Sequence, residues 1–242
     1  MGRVRIYQPG HYVPGDTVEL SPSAGQHVGV VLRRTPGDEL TLFCGDNREF
    51  FSTIISVHKK KVEVMIHAVE EMSRESPRPI HLAQGISKGD RMEWVMQKAV
   101  ELGVASITPL LTAHCAVRLD PARLEKKHRQ WQAIIVASCE QSGRNQLPIV
   151  NPVSTLKEYL EASKSVYKFI LHPTAHKRSR DYCLAEGDVA LLIGPEGGLS
   201  EDEVKLAQVA HFQPLNLGPR ILRTETAAVA ALSLLQSIGG DL

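Results

Sequence analysis

Two glycine-proline segments carry the residue types suited to holding and acting on a charged ligand. Residues 189–198, VALLIGPEGG, form an apolar run that stops at a Gly-Pro-Glu-Gly-Gly turn. Residues 217–228, LGPRILRTETAA, repeat the Gly-Pro turn and follow it with Arg223, Thr224, Glu225 and Thr226 before a small-residue helix. Glycines at such turns let backbone N–H and C=O groups approach a ligand without interference from a Cβ, and a helix start offers unpaired N–H groups. The pattern suits a nucleotide-like ligand. A tight strand-to-helix turn explains GPEGG equally well on its own; the second segment is harder to explain as a mere connection.

The elements that position these turns fall into two parts. Residues 1–72 read as short strands at 3–7, 17–20, 39–43, 49–57 and 61–69, divided by Pro14-Gly15-Asp16, Pro36-Gly37-Asp38 and Gly45-Asp46-Asn47, which predicts a small β-barrel. Between them, residues 27–34 read as an apolar strand-like segment ending in Arg33 and Arg34. With Arg3, Arg5 and Lys59–Lys61 these arginines give the barrel a cationic face fit for RNA, although a pair at a strand end is more often a solvated rim. Residues 73–79, with two prolines, read as a linker.

Beyond the linker the period changes. Strands at 80–85, 106–111, 166–171, 189–193 and 212–217 alternate with helices at 90–102, 121–142, 155 onward, 200 onward and 225–238, which predicts an α/β fold with a parallel sheet covered on both faces. Asp120-Pro121, Thr155 with Glu158, and Ser200 with Glu203 supply helix starts. The loops after Ile193 and Leu217 are expected to leave neighbouring strands at their carboxyl ends, where open α/β sheets bind ligands, and a third loop at His172 can join them.

Composition narrows the classes. The 242 residues are 43% hydrophobic and 23% charged with net charge +1, so any nucleic-acid affinity must come from local patches. The four cysteines form no CxxC pair, which points to a reducing cytoplasm without a zinc ribbon. His172 and His176 are broken by Pro173 and lack an acidic partner, so no metal is expected; Lys177, Arg178 and Arg180 read as a solvated basic loop. No targeting or membrane segment is visible. A GxGxxG with an acidic ribose ligand, a P-loop, a GxSxG elbow and an HExxH helix are all missing.

The motifs in combination are more specific than any one. Lys88-Gly89-Asp90-Arg91-Met92-Glu93, Gln97 to Val104, Trp131, Glu140-Gln141-Ser142-Gly143-Arg144, Ile193 to Gly198 and Leu217 to Ala227 occur in the order of the ribosomal RNA small subunit methyltransferase E family, which the chain resembles over nearly its whole length. Two departures are Leu199, where an aromatic often stands, and the divergent His114-Cys115-Ala116-Val117.

The resemblance implies an N-terminal PUA-like barrel (1–72) joined to a C-terminal SPOUT domain (73–242) with a deep trefoil knot, a homodimer, and S-adenosylmethionine-dependent methylation of N3 of one uridine in 16S ribosomal RNA, free or within the 30S subunit. Leu171, His172, Gly194, Pro195, Glu196, Gly197, Gly198, Leu217, Gly218, Ile221, Leu222, Thr226 and Ala227 are then expected around the cofactor. Arg223, with Arg144 second, is the expected stabiliser of charge on the uracil oxygens, and Glu225 or Glu196 the proton acceptor. Either carboxylate could instead serve a helix start. Arg3, Arg5, Arg33, Arg34 and Arg91 are the expected RNA contacts. The alternatives are a non-catalytic RNA-binding or ribosome-assembly factor on the same fold, and an α/β enzyme acting on a small nucleotide.

Overall fold

A computed structural model describes residues 3–115, 120–172, 182 and 184–242. His176, Lys177, Arg178, Arg180 and Cys183, with Ala116 and Val117 of the divergent segment, lie outside the described residues. The chain divides into two compact units, Met1–Glu75 with Val136–Leu147, and Ser76–Ile135 with Pro148–Leu242. Residues 136–147, expected in the C-terminal part, group with the first unit.

In the first unit, β1 (Val4–Tyr7), β2 (Thr17–Glu19), β3 (Glu39–Phe43), β4 (Arg48–His58) and β5 (Lys61–Glu71) form one sheet in the order β1-β3-β4-β5-β2. Alternation along β4 and β5 buries Phe50, Ile54, Val62, Val64 and Ile66 against Ile6, Leu40 and Leu42. Each such fully buried side chain contributes about 1.5–3 kcal/mol of transfer free energy.

The segment expected as a strand before Arg33 is helical. The Ser21 hydroxyl accepts from the Ala24 N–H and Pro22 takes the first helical position of α1 (Pro22–Gln26), which runs on as a π-helical turn over His27–Val31. The valines suggested extended chain, but capping at Ser21 and burial of Val28 in the unit's core prevail over that weak preference.

The second unit is a parallel sheet. Its strands are β6 (Ile80–Gly85), β7 (Ser106–Leu111), β8 (Ile149–Val150), β9 (Ser154–Thr155), β10 (Tyr167–Leu171), β11 (Val189–Ile193) and β12 (Gln213–Leu215), and its helices are α2 (Arg91–Glu101), α3 (Pro121–Ser142, whose last turns belong to the first unit), α4 (Leu156–Ala162), α5 (Glu201–Val209) and α6 (Thr224–Gly239). The order is β12-β10-β11-β6-β7-β8, with β9 beside β7. Leu156 and Leu160 of α4 and Ala207 of α5 pack on Ala83, Ile170, Ala190 and Leu192 of the sheet, while α6 packs on β11 and α2. All five residues of β11 are buried, as a strand covered on both faces requires.

One topological expectation is corrected. β11 and β12 are not neighbours, because β10 lies between them and pairs in parallel with both. The carboxyl end of β10, at Leu171, is therefore the middle one of three. Both capping boxes form as expected, at Thr155 with Glu158 and at Ser200 with Glu203. Among the described residues, no helix is long and apolar enough to cross a membrane and no cluster of three or more His, Cys, Asp or Glu is placed to hold a metal ion.

Candidate active site

At the carboxyl ends of β10, β11 and β12, the strand ends and the loops that follow β11 and β12 line a cavity of about 660 Å³, within the usual range of small-molecule sites. Its wall is largely aliphatic, from Leu171, Ile193, Leu199, Leu215, Leu217 and Leu222, with His172, Asn216 and Thr224 as polar members. Gly194, Pro195, Glu196, Gly198, Gly218, Ile221 and Ala227 also line it. Two expected residues do not. Gly197 turns its carbonyl to His114 Nδ1 at 3.0 Å, and Thr226 is exposed two positions inside α6 on a side that does not line the cavity.

The start of the first turn is fixed by contacts that leave no room for a side chain. A Cβ on Gly194 would lie 2.9 Å from the Gly198 backbone carbonyl carbon, and one on Gly85 at the end of β6 would meet Pro195 at 2.5 Å. Gly218 takes φ +125° and its N–H donates to Asn216 Oδ1 at 2.6 Å, an Asx turn that shapes the second loop. The Thr224 hydroxyl, at the start of α6, donates to the Gly194 carbonyl at 2.7 Å and so joins the two loops.

Among the described residues, five acidic and basic side chains line the cavity: Arg91, Glu196, Arg220, Arg223 and Glu225. Glu196 Oε1 accepts from Arg91 Nη1 at 2.7 Å and from the Lys88 N–H at 2.9 Å. Burial would raise the Glu196 carboxyl, but hydrogen bonds from backbone N–H groups and from Arg91 outweigh it and hold its pKa below the usual carboxylate value. The same pairing raises the pKa of Arg91. Glu196 is consequently a committed, weakly basic carboxylate. Glu225 is different: its Oε1 lies 3.9 Å from Arg91 Nε, and its Oε2 is buried with no hydrogen-bond partner among the described residues. Arg223 and Arg220 are exposed on the lining and pair with no carboxylate among the described residues.

The remaining expected residues lie elsewhere. Arg144 is 4% exposed, belongs to the first unit, and directs Nε (3.0 Å) and Nη2 onto the Glu75 carboxylate. It is not among the cavity residues, and its guanidinium is engaged in a buried ion pair rather than presented to a ligand. Arg5 is similarly engaged with Glu49 and Asn145, whereas Arg3 makes an exposed pair with Glu39 at 2.8 Å. Arg33 is exposed and Arg34 half-buried, and Arg91, expected on RNA, lines the cavity through its pair with Glu196.

Sequence reasoning missed Gln84, Asn216 and Arg220. A glutamine inside the apolar strand IHLAQG and an asparagine two residues before a turn glycine were the available signals.

A family model described as "RNA methyltransferase domain" matches residues 74–236. The chain is 38% identical to ribosomal RNA small subunit methyltransferase E of Buchnera aphidicola (from Schizaphis graminum), covering 98% of this chain and 97% of that one. It is 32% identical to the Bacillus subtilis protein of that name, over 90% and 88%. Among solved structures, a Legionella pneumophila protein in complex with the bound cofactor S-adenosylmethionine superposes with TM-score 0.98 at 56% identity, each chain fully covered. Ribosomal RNA small subunit methyltransferase E of Neisseria gonorrhoeae, bound to S-adenosylmethionine, gives TM-score 0.93 at 37% identity, again with full coverage of both. With its motifs, its cavity and these likenesses taken together, the chain belongs to the ribosomal RNA small subunit methyltransferase E family.

Proposed function

We propose that this protein methylates N3 of a specific uridine in 16S ribosomal RNA, using S-adenosylmethionine. The observation that carries this reading is the cavity at three parallel strand ends, whose lining includes Arg223, without a carboxylate partner among the described residues, and Glu225, whose buried Oε2 has no hydrogen-bond partner among them.

The residues present fit the cofactor. Glycine at 194, crowded by the 198–199 backbone, and at 198 and 218, where φ is positive, leaves backbone facing the ligand, which suits hydrogen bonding to adenine edges, and the aliphatic wall suits the adenine faces and the methionine chain. Leu171, His172, Gly194, Pro195, Glu196, Gly198, Leu217, Gly218, Ile221 and Leu222 would hold it, with Ala227 behind. When bound, S-adenosylmethionine supplies an electrophilic methyl group on a sulfonium.

The chain's own residues then have three tasks. Uridine N3 is a poor nucleophile while protonated, so Glu225 takes its proton directly or through a water. Negative charge spreads to the uracil oxygens as the proton leaves, and Arg223 stabilises it. The walls hold the base in line for displacement. Glu196 is the weaker candidate for proton acceptor, because its pairing with Arg91 and depressed pKa lower its basicity. Since N3 lies on the Watson–Crick edge, the target uridine must be unpaired or flipped when modified.

In this reading the first unit is a PUA-like barrel that anchors flanking RNA, with Arg3, Arg33 and Arg34 supplying phosphate affinity, while Arg5 is held on Glu49 and Asn145. The backbone through residues 189–228 forms a trefoil knot, the protein works as a cytoplasmic homodimer through α6, and the substrate is 16S RNA alone or in the 30S subunit. Calorimetry with S-adenosylmethionine, followed by transfer of its labelled methyl group to small-subunit RNA, tests the proposal. Binding and transfer are expected; a folded protein with no measurable cofactor affinity would instead favour a non-catalytic RNA-binding factor, and methyl transfer to a small nucleotide without RNA would favour the third class.

A further inference from the structure

Gln84 is fully buried at the penultimate position of β6, a strand whose other side chains are almost all apolar. Its Nε2 lies 3.0 Å from Thr224 Oγ1, 3.1 Å from the Gly85 carbonyl and 3.3 Å from the Gly194 carbonyl. Thr224 Oγ1 spends its own hydrogen on Gly194 O at 2.7 Å, so it accepts from the amide. Two facing carbonyls also fix which way the amide points, because the reverse orientation would set oxygen against oxygen. The amide thereby links three elements: the end of β6, the turn after β11 and the first residue of α6.

The cost of this arrangement is visible. Gln84 Oε1 is buried and makes no hydrogen bond among the described residues. A buried acceptor left unpaired is destabilising, so an apolar side chain of similar volume would serve folding alone at least as well. What the amide adds is register. Thr224 stands between Arg223 and Glu225, and its hydroxyl holds Gly194, where the turn begins. The close seat of Gly85 on Pro195 gives the turn a fixed floor, and the amide ties that floor to α6.

We propose that Gln84 is a positioning residue that holds the 194–198 turn and the start of α6 in their cofactor-binding register, an inference that rests on the function proposed above. It touches neither reactant and acts through Thr224 and Gly194.

The test compares Gln84→Met, which keeps length and volume, with Thr224→Val and the double variant. Amide hydrogen exchange is measured on the cofactor-free full-length protein, and S-adenosylmethionine affinity by calorimetry. Gln84→Met is expected to speed exchange about tenfold at residues 194–199 and 224–227 only, and to weaken cofactor binding by about the same factor. The double variant is expected to be no worse than the worse single one, since both changes break one network. Unchanged exchange and affinity in Gln84→Met would overturn the proposal, as would faster exchange throughout the protein, which marks a merely structural role. Should Gln84→Met not fold, the shape-conserving Thr224→Val carries the same prediction at residues 194–199. A wild-type protein that binds no cofactor would sink the proposed function, while the exchange result would still decide the role of Gln84 in loop register.

Discussion

Residues 140–145, EQSGRN, and residues 217–227, LGPRILRTETA, both gather arginine, carboxylate and glycine at a helix end, but at opposite poles. The first follows the C-terminus of α3, where the helix dipole favours a cation, and Arg144 is buried there on Glu75. Beside it Glu49 accepts from Arg5, Arg74 and Asn145, and Asn145 also donates to the Met72 carbonyl at 2.7 Å. In the second stretch Arg223 occupies the N-cap of α6, at the positive pole, with no side-chain capping bond and, among the described residues, no ion-pair partner. A cation held there gains nothing from its own helix. Equivalent residue types thus form a closed, neutralised network in one place and leave charge available to an anionic ligand in the other.

Exchanging the roles of these arginines should produce the largest effects. Arg223→Ala is expected to slow single-turnover methyl transfer by about 10²–10³-fold, the scale of losing a preorganised charge stabiliser, with little change in cofactor affinity. Arg144→Ala should leave transfer per folded molecule near wild type and destabilise the protein by about 3 kcal/mol in denaturant titration, since it orphans a partly buried carboxylate. Equal rate losses in both variants would erase the distinction.

The carboxylates give the next contrast. Glu225→Gln should lower the single-turnover rate by about 10²-fold, as expected for loss of a general base, whereas Glu196→Gln should lower it less than tenfold and act mainly on cofactor affinity. If Glu196→Gln is the slower variant, the assignment of proton acceptor is reversed.

A smaller effect concerns pH. Burial acts to raise the pKa of Glu49, but hydrogen bonds from Arg74, Asn145 and Arg5 together outweigh it and depress the value. Its folded pKa lies below its unfolded one, so its stabilising contribution is complete above the ordinary carboxylate range and is lost as pH falls through the depressed value. Glu140 has the opposite sign, because burial raises its pKa despite the Tyr7 N–H at 3.0 Å, and its contribution weakens as pH rises. Denaturant titrations across the acid range should therefore show a shallower loss of stability in Glu49→Gln than in wild type. Smallest of all, Arg3→Ala should reduce the salt slope of RNA binding by about one phosphate contact without altering turnover.

Much of this site was legible because its signals are local. The unbroken apolar run of β11, the glycine turn and the capping box at Ser200 each require only a few adjacent residues. Pairing across the sheet is not local, so the insertion of β10 between β11 and β12 was missed, and with it the central place of Leu171 and His172. Val28, Val30 and Val31 spoke for a strand more loudly than Ser21 spoke for a helix. Arg144 and Arg223 are alike in sequence, and only the carboxylate folded against one of them, 69 residues away along the chain, tells them apart.

Loss and restoration of the RNA modification tests the central claim most directly. Mass spectrometry of 16S RNA from a strain lacking this gene should show one N3-methyluridine missing, restored by the wild-type chain and by Arg144→Ala supplied at equal folded level, but not by Arg223→Ala. Persistence of every methyluridine in the deletion strain, or full restoration by Arg223→Ala, would contradict the account.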